Sequence, residues 1–127
     1  MSGEANADVV SIGGIPVEAF GEWPGLTTRS AVVTDERRLH IVAHHPEVLV
    51  SLHELARTLL DPDEAHRYHE LNMLELFRWC GAGHAWTVKV RIASEEGLSN
   101  STLTFYQLRR DRVEKRRRRA DSFWTRG

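Results

Sequence analysis

The residues equipped for chemistry fall into three sets: seven histidines, a lone cysteine, and an arginine-rich run near the C-terminus. His40 and His44 are four apart, which places two imidazoles on one helix face, and His66 with His69-Glu70 looks like part of a zinc motif. The zinc-protease arrangement, however, is His-Glu-x-x-His, with both imidazoles on one ion and the glutamate activating water; that order is missing here. No metal and no cofactor are expected. Cys80 needs a nearby cation or a helix N-terminus to become a nucleophilic thiolate, yet it falls near the expected C-terminus of a helix beside Trp79, where the dipole opposes an anion. It reads as a buried structural thiol. The run Lys115 to Arg119 is a sufficient phosphate footprint for nucleic acid, although no aromatic platform or reading helix is evident beside it.

These groups sit in a chain of 127 residues that is 41% hydrophobic, enough for one core in one domain. No apolar run approaches the roughly 18 residues of a membrane span, and the opening MSGEANADVV lacks the basic-then-apolar pattern of a signal peptide. A cytoplasmic protein without membrane contact is expected, and one cysteine excludes an internal disulfide framework. The net charge of -1 hides an asymmetry: nine of the 17 basic residues lie from Arg109 onward against three acidic ones, leaving +6 there and -7 elsewhere. Such a split suits a nucleic-acid arm, an acidic partner, an oligomer contact or simply a solvated helix end.

The elements that must position these residues read as follows. Residues 1–30, with Gly13-Gly14, Pro16, Gly21, Pro24 and Gly25, form an irregular arm whose Ile12, Ile15, Val17, Phe20 and Trp23 dock while the first ten residues or so stay disordered. A core domain spans 31–108 and a basic helix or tail 109–127. Helices are expected near 35–44, capped at Thr34-Asp35, and near 47–60, 63–80, 84–97 and 100–120. Leu52, Leu55, Leu59, Leu71, Leu74, Phe77, Trp86, Val90 and Ala93 are the expected core. At Thr87 to Ile92 the residues support two readings: polar and apolar types alternate as in a half-buried strand, while Trp86, Val90 and Ala93 recur at helical spacing before Gly97.

The run Trp86, Val90, Ala93, Gly97-Leu98-Ser99 resembles the carboxymuconolactone decarboxylase family, within the alkylhydroperoxidase D-like superfamily. Glu70-Leu71 and His45-Pro46-Glu47 resemble the openings of its two preceding helices. The resemblance covers roughly His40 to Thr104 and implies an all-α bundle of about five helices, with the 84–97 segment helical. Ala85 stands where the family has Glu, Lys89 where it has His, and His84 where it has Tyr. The two redox cysteines would fall on Ala82 and Ala85.

By resemblance, the chain is either a shortened member or one whose subunits complete one another, expected to be homo-oligomeric and without thiol peroxidase activity, a lyase-like protein handling a small organic acid or lactone. Glu70, His84 and Lys89 would be catalytic, Glu70 moving the proton, with Lys89 and Trp86 contacting substrate. A catalytically degenerate binding protein of that fold, or a nucleic-acid binder working through the basic run, are the competing expectations.

Overall fold

The computed structural model describes residues 9–45, 52–81 and 83–127, and its dominant feature is a curled seven-stranded half-barrel sheet. Strands β1 (Val9–Gly14) and β2 (Ser30–Thr34) bracket a four-residue helix α1 (Val17–Phe20). Helices α2 (Asp35–His44) and α3 (Leu52–Leu60) follow. Then come β3 (Glu64–Tyr68), β4 (Met73–Cys80), β5 (His84–Arg91) and β6 (Asn100–Arg109), a short helix α4 (Arg110–Arg116), and β7 (Ser122–Thr125). The strand order is β1-β2-β6-β5-β4-β3-β7, antiparallel except where β2 meets β6.

This architecture corrects the all-α expectation and the helical-bundle fold that the resemblance implied. The segments expected as helices at 63–80, 84–97 and 100–120 are instead β3 to β6 with only α4 helical. In β5 the alternation of Thr87, Val88, Lys89, Val90 and Arg91 is what it looks like, a strand with one face in the core. Gly81 and Gly83, both at positive φ, turn the β4–β5 hairpin where they were expected to break a helix. Gly97 has φ +86 in the loop before β6, so its left-handed backbone serves a turn and caps no helix.

The α2 helix does form at Asp35–His44, with the Thr34 hydroxyl accepting the Arg37 amide at 3.1 Å. For the helix expected at 47–60, Leu52–Leu60 is helical and residues 46–51 lie outside those described, as do residues 1–8 and Ala82.

One face of the sheet carries the main core. Leu74 and Leu76 of β4, Val88 and Val90 of β5 and Phe105 of β6 pack with Leu55 and Leu59 of α3 and with Ile15, Phe20 and Trp23 of the N-terminal segment. Each such side chain contributes roughly 1.5–3 kcal/mol through burial. Among the expected core residues, Leu71 is exposed in the β3–β4 turn, Trp86 and Ala93 are only half-buried, and the Leu52 side chain lies outside those described. Phe77 is buried on the opposite face, under Val113 of α4 and beside Ala85.

Candidate functional site

The sheet face opposite the main core is polar in its middle. Cross-strand pairing sets His66 of β3 beside Glu75 of β4, Glu75 beside Lys89 of β5, and Lys89 beside Thr104 of β6, a row across four strands. Alongside runs Phe77, Thr87 and Tyr106 in the same manner. A bulge at β6, where Lys89 pairs with Thr104 but Val90 with Thr102, leaves Leu103 as the extra residue and bends the strand there.

Helix α4 lies over one end of this face because Val113 is its buried anchor. Residues three and four away from Val113 on either side then hang over the two flanks. On one flank Arg109 and Arg116, with Arg112, Lys115 and Arg119, line a cleft of about 240 Å³ to which no carboxylate contributes. On the other flank Arg110 and Arg117 reach toward β3, β4 and β7.

Arg116 connects the first cleft to the sheet. Its Nη1 donates to Glu75 Oε2 at 2.5 Å and to the Tyr106 hydroxyl at 2.8 Å, while Tyr68 donates to Glu75 Oε1 at 2.9 Å. Glu75 is only 2% exposed, so its charge is tolerated because both oxygens are engaged. Burial pushes the Tyr106 phenol above its ordinary pKa, against the pull of Arg116, and keeps it protonated at neutral pH. The imidazole of His45, just past α2, stacks on the Tyr106 ring at 4.9 Å and 20°.

A second network lies deeper. Glu64, fully buried, accepts two hydrogen bonds from Arg117 at 2.6 Å each and one contact from His66 Nε2 at 2.6 Å. Burial raises its pKa, but the Arg117 and His66 hydrogen bonds outweigh that and hold the carboxyl below its usual range.

The residues expected to be catalytic do not converge. Glu70 is exposed in the turn between β3 and β4, whereas His84 is exposed at the other end of β5, about 23 Å away along a strand at roughly 3.3 Å per residue. Lys89 projects to the polar face next to Glu75, while Trp86, three residues earlier, faces the main core and stacks on Phe105 at 4.9 Å. On a helix those two would share a side; on a strand an odd spacing sends them to opposite faces.

Cys80 ends β4, half-buried, and burial pushes its thiol pKa up. Among the described residues no three His, Cys, Asp or Glu side chains converge to hold a metal ion. No helix among the described residues is long and apolar enough to cross a membrane. The residues that sequence reasoning missed are His45, Glu75, Tyr106 and Tyr68. The only sequence signal for them was Tyr106 standing ten residues before Arg116 in the basic run. No family model, curated protein or solved structure matches the chain.

Proposed function

We propose that the protein binds the phosphate backbone of single-stranded RNA along α4 and cleaves it by proton transfer at the His45–Tyr106 pair. The observation that carries this reading is the cleft lined by Arg109, Arg112, Lys115, Arg116 and Arg119, joined to that pair by the hydrogen bond from Arg116 to Tyr106. Two of its cations are already committed, Arg109 to Asp111 and Arg116 to Glu75. Arg112, Lys115 and Arg119 form no salt bridge among the described residues and remain to meet phosphates.

RNA suits the chemistry because it carries its own nucleophile. Cleavage needs a base for the 2′-hydroxyl proton, an acid for the departing 5′-oxygen and positive charge on the phosphate. His45 takes the 2′-hydroxyl proton as the O2′–P bond forms. The P–O5′ bond breaks, and Tyr106, kept protonated by burial, delivers its proton to O5′. Arg116, fixed by Glu75, holds the phosphoryl charge. The products are a 2′,3′-cyclic phosphate and a 5′-hydroxyl. A reducing, RNA-containing cytoplasm is the compartment this reading calls for.

The test uses a labelled single-stranded RNA of about ten nucleotides and the matching DNA. Wild type should bind both with strong salt dependence and cleave only the RNA, and His45→Gln should bind unchanged without cleaving. Replacing Arg112, Lys115 and Arg119 together by Ala should reduce the log Kd against log salt slope by about 2, at roughly 0.7 per phosphate lost. Absence of RNA binding at low salt sinks the reading.

A further inference from the structure

The flank of α4 opposite the cationic cleft holds a second cavity, of about 570 Å³, whose walls combine aromatic rings with arginines. On its floor the Trp79 ring lies under the Arg110 guanidinium, 4.5 Å from carbon to centroid. On its rim the Phe123 ring is 47% exposed and sits 5.3 Å from the Arg117 guanidinium. Arg126 also lines the cavity, its charge met by Asp61 and Asp63. Two side-chain carboxylates also line the cavity, but both are spoken for. Glu64 is held by Arg117 and His66, and Asp63 accepts the Trp79 amide at 2.8 Å and pairs with Arg126 at 3.7 Å.

A ligand entering this cavity therefore meets two flat apolar rings, each with a guanidinium beside it, and no unpaired side-chain carboxylate. That combination fits a planar, electron-rich ring that carries a phosphate. The volume falls within the 300–1,000 Å³ of small-molecule sites and is ample for one nucleotide. Stacking on exposed aromatics is also how single strands are held without sequence reading.

We infer that the Trp79–Phe123 cavity is a nucleobase-stacking subsite, taking one unpaired base with its phosphate on Arg110. The base comes either from a strand whose backbone occupies the cationic cleft across α4 or from a free mononucleotide. The strand version rests on the RNA-binding reading above; the mononucleotide version does not.

The experiment measures binding of three probes: the RNA oligonucleotide, the same oligonucleotide made abasic, and AMP. The proteins compared are wild type, Trp79→Ala and Phe123→Ala. Phe123→Ala touches an exposed ring on an edge strand, so it keeps the test valid if Trp79→Ala fails to fold. If the strand threads both flanks, Phe123→Ala and Trp79→Ala each weaken oligonucleotide binding about tenfold or more without changing the salt slope, and the abasic probe binds wild type as poorly as the normal probe binds the variants. If the subsite takes free nucleotides, AMP binds wild type saturably and loses about tenfold in Phe123→Ala, even where the oligonucleotide does not bind at all. Equal binding of normal and abasic probes, together with AMP binding that is absent or indifferent to both variants, overturns the subsite while leaving the backbone reading intact.

Discussion

Glu75 and Glu64 are the two buried carboxylates on which the arginines of the C-terminal run are anchored, and each gives a residue-scale prediction. Removing Arg116 as Arg116→Met leaves Glu75 charged and 2% exposed with only Tyr68 donating to it. Breaking one partner of such a pair costs more than the pair contributes, here about 3 kcal/mol, toward the lower end of the range because Arg116 itself is partly exposed. Urea unfolding should show that loss, and Glu75→Gln combined with Arg116→Met should recover part of it; no recovery would mean that the buried charge is not the cause. For Glu64 the folded pKa is below the ordinary 4.5, so the unfolded chain binds the proton more readily than the folded one. The stability contributed by this carboxylate is thus fully present above about pH 5 and is lost as the pH falls from 4.5 through the lowered folded value. Glu64→Gln should therefore flatten the acid limb of a Tm against pH curve. An unchanged limb would place the acid sensitivity elsewhere.

At the scale of elements, α3 is held to the sheet by Leu55 and Leu59, 3% and 0% exposed, so Leu55→Ala should cost about 2–5 kcal/mol through lost transfer energy and a cavity. Thr34→Ala, which removes the one side-chain cap of α2, should cost about 1 kcal/mol by the same unfolding measurement. Both helices were readable from sequence because a stripe and a cap are local signals. β4 was not, and the reason is physical. Leu74 and Leu76 belong to the main core while Phe77 is buried on the other face under Val113, so the strand is apolar on both sides and shows no alternation. Its Met73, Leu74, Phe77 pattern then mimics helical spacing. β5, whose face opposite the main core carries Thr87 and Lys89, did show its alternation, and the resemblance that made it helical depended on the spacing of Trp86, Val90 and Ala93, which a strand does not gather on one face. The arginine run was legible as a concentration of positive charge. The site around it was not, since His45, Tyr68, Glu75 and Tyr106 come from four separate parts of the chain and meet only through the strand pairing.

For the whole molecule the unequal charge distribution makes stability and binding pull in opposite directions. The segment from Arg109 onward carries +6, and within it Arg112, Lys115 and Arg119 line one cleft and form no salt bridge among the described residues. Like charges gathered in this way repel in the unliganded protein, and a polyanion relieves that repulsion. Changing these three residues to Ala should then leave the free protein as stable as wild type or more so, with an equal or higher Tm at low salt. Wild type with RNA at a hundred times its Kd should gain about 2.7 kcal/mol, and the variant should gain almost none. The two differences should shrink together as salt rises toward 1 M, because screening weakens both the repulsion and the attraction. A variant that melts well below wild type without RNA would show that these cations build the fold, whereas equal RNA stabilisation of both proteins would move the binding surface away from α4.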